Sequence, residues 1–455
     1  MSSTPPDQRQ ERRTILAIAL PLMAAYLAEM GMMITDMIIV GRLGGKELAA
    51  VGLTADWFYV LLLIGMGVVA IVGVLVAQNF GANNPDGVRD AAEQGLIAAT
   101  ICSIPVIFAV YFLGPALQYA RQDPEVIELI TDYSRPLALS VFPALWFVAL
   151  RNFVTALERA AGIMTITVLA LIANLGINYT LVFGHLGFPA LGVVGAAYGT
   201  AIVNWLMFAW LAIHVTRSPH FARFRPRIIP RSINWNTCRE IFKLGLPISA
   251  SQILAAGMFT IAAVVVGTLG AEILAAQMII YSVIYTCLSA SLAFGDAVRV
   301  RVAYGIGRGS VAASRQSAKI AVTLATATVF VATLVLWLLP ETIVSVFLDT
   351  NDPENAGVLA LAVGLAIYAG LFQLIDGVLI IYANGLRGLR DTKSPFWISV
   401  IGYWLVGVGL GSWFALATDH GAIGMWWGLT IGGAVGLILM ALRLKQRFDE
   451  ADARL

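Results

Sequence analysis

Long, uninterrupted apolar runs separated by short polar stretches dominate the chain. A helix needs about 20 apolar residues to cross a bilayer. Twelve runs meet that length, near 14–40, 50–77, 92–114, 134–157, 162–184, 192–215, 241–268, 273–303, 317–339, 358–385, 395–416 and 422–442. Several exceed it, which predicts tilted or kinked helices. Strands of a membrane barrel are roughly 10 residues long and alternate apolar with polar positions; these runs are continuous and twice as long. The pattern predicts an all-α polytopic membrane protein of twelve transmembrane helices. The first run follows Arg12 and Arg13 and continues to Val40. That is well past the apolar core of a signal peptide, so the run is expected to remain as the first span.

Composition sharpens this picture. Of the 455 residues, 59% are hydrophobic and 12% are charged, against roughly 25% charged in a soluble domain. So few charges cannot coat a soluble surface, which excludes a cytosolic enzyme, a disordered chain and a nucleic-acid binder. The partner implied is the lipid bilayer. The net charge of +2 matters less than where the charges lie.

Basic residues gather in alternate polar stretches. One set holds Arg9, Arg12 and Arg13, then Arg89, Arg159 and the seven basic residues from Arg217 to Lys243, Arg231 among them. It continues with Arg308, Arg315 and Lys319, then Arg387, Arg390 and Lys393, and ends with Arg443, Lys445 and Arg447. The other set holds only Arg42, Lys46, Arg121 and Arg135, with the acidic stretches Asp123–Asp132 and Asp349–Glu354. The positive-inside rule then predicts a cell inner (plasma) membrane protein with both termini cytoplasmic. Three scattered cysteines (Cys102, Cys238, Cys287) and four histidines offer neither a disulfide framework nor a metal motif. No cofactor and no metal are expected.

The longest polar connection, 216–240, contains Pro219, Pro226 and Pro230 and divides the spans six and six. The expected organisation is a tail at 1–13, a first lobe at 14–215, a linker at 216–240, a second lobe at 241–442 and a tail at 443–455. The halves are related. With a constant shift of 226, Leu20–Ala50 overlays Leu246–Ala276 with 12 identities in 31 positions and no gap. Both segments read Leu-Pro, then a helix, then V-G-x-L-G, then L-A-A, and the register persists from Arg89 to Arg315. Six spans is an even number, so the halves are parallel repeats, an arrangement typical of alternating-access transporters with the site between the repeats. Pro21 and Pro247 occupy equivalent places inside the first helix of each half. A proline there removes a helix hydrogen bond and bends the helix, so both are expected as hinges.

Residues that differ between the repeats are the better guides to function. Five acids fall within spans: Glu29, Asp36, Asp56, Asp296 and Asp376. An ionisable group in a span costs at least ~2.5–3.5 kcal/mol and normally faces a cavity, a partner or an ion. Glu29 and Asp36 are seven apart, two turns along one helix face, and their repeat positions are Ala255 and Ala262. Asp376 lies in a run that is apolar apart from Gln373; Asp296 precedes Arg299 and Arg301, so a local ion pair competes with a coupling role. Asp56 fits a solvated helix start. The expected ion-coupling set is Asp36, Asp376, Glu29 and Asp296. Asn174 and Asn178 lie one turn apart with Tyr179 beside them, a spacing that can hold a carboxylate. Together with Gln252, Gln277 and Gln373 they form the expected polar cluster. Tyr26, Trp57, Trp146 and Phe372 could line an organic-cation pocket through cation–π contact. Arg151 is the lone deep basic residue, so excess carboxylate favours cationic substrates over anionic lipid phosphates.

These residues resemble the multidrug and toxic compound extrusion (MATE) family, in its bacterial NorM-like branch. The resemblance lies in P-x(14)-D-M-I-I-V-G-R-L-G from Pro21, L-I-A-N-L-G-I-N-Y in span 5, and F-Q-L-I-D-G through G-L-R-G-L-R-D-T-K-S-P from Phe372 to Pro395. It spans nearly the whole chain. It implies two six-helix lobes around a V-shaped central cavity and export of cationic organic compounds in exchange for H+ or Na+. It also implies that Asp36 and Asp376 are the intramembrane acids of the two lobes, with Asn174 and Asn178 as the first lobe's polar pair. Four positions depart from the pattern. Ala255 replaces a span-7 glutamate, Phe372 replaces a tyrosine, and Gln277-Met278 replaces a His-Gln pair. Conversely, Glu29 stands where the branch usually has glutamine.

The expected function is therefore secondary active antiport: small organic cations leave and H+ enters by alternating access, from a monomer without enzymatic chemistry. The alternatives are coupling to Na+ and, on a related fold, flipping of a lipid-linked sugar. A major-facilitator transporter also has twelve spans in parallel halves, but its G-x-x-x-D-R-x-G loop is not matched by the segment from Gly81.

Overall fold

The computed structural model describes residues 7–118, 123–230, 232–348 and 352–453. Arg121, Arg231 and Asp349, used above for orientation, lie outside them, as do the extreme ends of both expected tails. Among the described residues, twelve helices are long and apolar enough to cross a membrane, the number predicted from the sequence. They are α1 Gln8–Gly41, α2 Gly45–Gly81, α3 Pro85–Tyr111, α4 Pro124–Ala156, α5 Ala161–Phe183, α6 Gly192–Arg217, α7 Trp235–Gly267, α8 Ala271–Gly307, α9 Val311–Leu338, α10 Pro353–Gly388, α11 Lys393–Ala417 and α12 Gly421–Asp452.

The helices outrun the apolar segments because their ends are polar. The acidic stretch Asp123–Asp132, expected as a loop, is a correction: it forms the start of α4, with Asp123 capping the Glu125 amide at 3.0 Å and Pro124 in the first turn. Proline there loses no hydrogen bond, and aspartate satisfies a free amide. Ile127 and Ile130 of this segment are buried. The expected tail from 443 is likewise helical as far as Asp452, with Arg315 of α9 bonded to Asp449 and Asp452 at 2.9 and 2.8 Å. Three helices are irregular, α10 through a 3₁₀ turn at Pro353–Asn355 that opens it. A 3₁₀ turn at Ala138–Ser140 interrupts α4, and α11 is π-helical over Val400–Val408.

The repeat is written into the backbone as well. Asn84 and Ser310, one shift of 226 apart, cap α3 and α9 through the Gly87 and Ala313 amides at 3.1 and 3.3 Å. Gly44 and Gly270, related by the same shift, precede α2 and α8 with φ of 158° and 142°.

The chain packs as two compact units, Leu20–Ser249 and Met1–Ala19 with Ala250–Leu455. The packing boundaries fall inside α1 and α7, within one turn of Pro21 and Pro247, and not in the 216–240 connection. In the first unit, the opening half of α7 lies tightly on α2. A Cβ on Gly67 would come within 2.5 Å of the Ser249 backbone, and one on Gly245 within 2.6 Å of Val68, so only glycine permits these approaches. Ser249 donates to the Ile64 carbonyl at 2.6 Å. The 216–240 connection, expected as a linker, is docked on α3: Arg89 donates to the Arg223 carbonyl at 2.7 Å, Gln94 to that of Ser232 at 3.2 Å, and Glu93 accepts from the Arg227 amide at 2.9 Å. In the second unit, the opening turns of α1 bury Ile15, Ile18 and Ala19 completely. Buried Glu11 is held by Arg301 of α8 through two bonds, at 2.8 and 2.5 Å, and by the Ser317 hydroxyl of α9 at 2.6 Å.

Candidate functional site

In the Leu20–Ser249 unit, Asp36 sits among neutral donors. Asn178 of α5 donates its amide to one carboxylate oxygen, and Thr200 of α6 donates to the other at 3.3 Å. Asn174, one turn before Asn178, bonds the same carboxylate, and the Tyr133 hydroxyl of α4 bonds Thr200. The i, i+4 spacing of the two asparagines puts both amides on one face of α5, where they are 1% and 0% exposed. Their Oδ1 atoms have no partner among the described residues. Asn178 Oδ1 fits against Gly199, whose missing Cβ would lie 1.6 Å from it. Thr200, Tyr133 and Gly199 were not singled out from the sequence; each is an ordinary span residue there, and only the packing of α4 and α5 against α6 brings it to the acid.

Tyr179 does not join this cluster. Its ring is exposed and lies against Phe183 and His185, with centroids at 5.3 and 4.8 Å. One residue after Asn178 on a helix points about 100° away, which accounts for the miss. Glu29, on α1, carries an ion pair with Arg151 of α4 at 2.7 Å.

In the second unit, Asp376 of α10 is 5% exposed and accepts a 2.5 Å bond from the Tyr403 hydroxyl of α11. Tyr403 lies within the π-helical stretch. A π turn inserts an extra residue and re-aims the side chains around it, so the sequence period alone could not place Tyr403 at the acid. Gln373, nearly one turn before Asp376, is buried, and neither atom of its amide has a partner among the described residues. Gln277 donates to the Tyr281 hydroxyl at 2.9 Å, and Tyr281 in turn to the Phe259 carbonyl at 3.3 Å. Around them Phe259, Phe372 and Trp426 pack edge-on, with centroids at 5.8 Å for both Phe372 contacts. Phe372 is therefore core. The Gln252 Oε1 is buried without a partner among the described residues. Asp296 forms the local pair foreseen as its competing role, with Arg299 at 2.8 Å.

Of the aromatic residues considered for a cation pocket, Trp146 is occupied by packing: it donates to Thr100 at 2.9 Å and lies tilted against Phe208, with centroids at 5.1 Å. Tyr26 does hold a cation, the Arg151 guanidinium, at 5.0 Å.

Twelve spans that hold two carboxylates among neutral donors, Asp36 half-buried and Asp376 buried, define a polytopic membrane transporter. The MatE family model matches the chain twice, over residues 21–180 and 247–413, so the two matches begin at Pro21 and Pro247, the offset of the internal repeat. The chain is 32% identical to a probable multidrug resistance protein NorM of Pseudomonas putida over 98% of its length and 97% of the relative's. It is 34% identical to a probable NorM of Mesorhizobium japonicum, covering 96% and 94%. Among solved structures, an outward-facing multidrug resistance MATE transporter of the MOP superfamily superposes with a TM-score of 0.89 at 18% identity, over 98% of this chain and 99% of that one. The eukaryotic MATE transporter AtDTX14 gives 0.87 at 18%, over 98% and 99%. The chain belongs to the MatE family, a family of membrane transporters and not of enzymes.

Proposed function

We propose that the protein exports cationic or amphipathic organic compounds from the cell in exchange for H+, using Asp36 as the coupling acid. The observation that carries this is the company the span acids keep. Glu29 and Asp296 each hold an arginine. Asp36 and Asp376 hold only neutral donors among the described residues. A carboxylate without a fixed counter-cation is free to exchange one: a proton from outside, an organic cation from inside. Burial favours the neutral form of a carboxyl group in general, and a protonated acid cannot retain a cationic substrate. The multidrug resistance names of the relatives support the substrate class. The placement of Pro21 and Pro247 beside the packing boundaries supports their role as the bends of an alternating-access cycle. No cofactor is needed, and a monomer in the inner membrane with both termini cytoplasmic suffices.

One observation favours Na+ instead. The unpartnered Oδ1 atoms of Asn174 and Asn178 lie near Asp36, and a set of carboxylate and amide oxygens suits a hard cation. Ethidium flux from proteoliposomes, started by an outside acid jump or an outside Na+ jump, separates the two. Proton coupling predicts flux on the acid jump alone, lost in Asp36→Asn. Full export by that variant overturns the role of Asp36, and flux on the Na+ jump alone moves the coupling ion to Na+.

A further inference from the structure

The pairing of Glu29 with Arg151 has more chemistry around it than an ion pair requires. Arg151 Nη1 donates to Glu29 Oε1 at 2.7 Å. Its guanidinium carbon lies 5.0 Å from the Tyr26 ring centroid and 5.8 Å from that of Phe147. A planar, delocalised cation thus meets two aromatic rings and a carboxylate. Aromatic faces attract cations through their quadrupoles, and the carboxylate supplies the charge. These are the parts of an organic-cation site, and its present occupant is a side chain of the protein itself.

Two further facts separate this from a structural brace. The arginine side chain is 7% exposed, whereas the glutamate is 30% exposed, so the acid is open on a side the arginine does not cover. The repeat position of Glu29 is Ala255, so the first helix of a half folds without an acid there. An empty acidic site in a span is costly; a tethered arginine removes that cost while the site waits.

We infer that Glu29, Tyr26 and Phe147 form a cation subsite separate from Asp36, occupied by Arg151 in this conformation and open to planar, delocalised organic cations of the guanidinium or conjugated iminium class when that arginine withdraws. The inference rests on the efflux reading above. Arg151 competes with the substrate, so removing it strengthens binding, whereas removing one half of a purely structural ion pair does not.

The test is equilibrium binding of ethidium to the purified full-length protein in detergent. Arg151→Gln is expected to bind roughly tenfold tighter than wild type, about 1.4 kcal/mol. Glu29→Gln is expected to bind more weakly than wild type, and Glu29→Gln/Arg151→Gln more weakly than Arg151→Gln, because both lack the carboxylate. Unchanged or weaker binding by Arg151→Gln overturns the subsite. Should Arg151→Gln not fold, Tyr26→Leu keeps the ion pair and removes one aromatic face: binding several-fold weaker supports the subsite and unchanged affinity overturns it. Failure of the efflux reading looks different, since wild type and every variant then bind no ethidium, and both proposals fall together.

Discussion

Asn178 bonds Asp36 with its amide nitrogen while its amide oxygen lies against the bare α-carbon of Gly199. The glycine therefore sets where the acid's principal donor can stand. In an exposed helix interior, glycine to alanine gains about 1 kcal/mol. At position 199 the new methyl would lie 1.6 Å from Asn178 Oδ1, so Asn178 must move. Gly199→Ala is expected to lower coupled ethidium export at least roughly tenfold, the scale of about 1.4 kcal/mol, while the protein still folds. Proteoliposome flux and the melting temperature of the same preparation check this; full export would show that Asn178 does not need its present place. Thr200→Val removes the longer, 3.3 Å bond to the acid together with the hydroxyl's contact with Tyr133, and is expected to do less.

Tyr403 is the counterpart in the second unit. Its hydroxyl bonds Asp376 at 2.5 Å, and hydrogen bonds to charged groups are worth about 1.5–3 kcal/mol. Tyr403→Phe leaves a 5%-exposed carboxyl without that donor. The expected result is a melting temperature lower by roughly a few degrees, reversed in Tyr403→Phe/Asp376→Asn because the double variant has no charge left to satisfy. An unchanged melting temperature in the single variant would show that Asp376 does not depend on the tyrosine.

Asp296 separates a coupling acid from a local brace. It is bonded to Arg299, one turn on along α8. Asp296→Asn is expected to retain coupled export and to lose stability, because it removes the carboxylate charge bonded to a guanidinium that is 4% exposed. Stability and ion dependence are read separately, by thermal unfolding and by the acid-jump flux. Loss of proton-driven flux with unchanged melting would place Asp296 in the coupling path.

The parts legible in the sequence are those fixed by local rules. Twelve spans follow from apolar length, the repeat from Pro, Gly and Arg in one register, and the Asn174–Asn178 pair from helical spacing, its place in the lobe of Asp36 being what the family resemblance implied. What escaped needed tertiary information. The helical start of α4 was hidden because acidic residues such as Glu125 and Glu128 read as loop, although Ile127 and Ile130 bury one face. Tyr403 was hidden by a π turn that breaks the 3.6-residue period. Arg151 was noticed as a deep base, but its partner on α1 lies 122 positions away and no spacing rule reaches that far. The packing boundaries inside α1 and α7 were hidden for the same reason: composition marks the polar connection, whereas packing is decided by Gly67, Gly245 and Glu11.

Glu11 gives the most direct handle on those boundaries. It is 1% exposed, with Arg301 bonded to both its oxygens and Ser317 to one. Arg301 is itself held over the Tyr304 ring at 4.9 Å. This group fastens the opening turns of α1, the arm that lies before Pro21, to α8 and α9. Breaking one partner of a buried pair costs roughly 3–5 kcal/mol because the other charge is stranded, whereas replacing both by apolar residues of similar volume is often neutral. Glu11→Gln is therefore expected to melt several degrees below wild type, and Glu11→Met/Arg301→Met to recover most of that loss. If the pair does only structural work, the recovered variant also regains full coupled export. If instead it holds the arm against which Pro21 bends, the apolar pair holds the arm equally well, but Glu11→Gln releases it: export then falls even at temperatures far below melting. Flux measured at a low and a moderate temperature on all three proteins distinguishes the outcomes, and undiminished export by Glu11→Gln at both would remove the arm from the transport cycle.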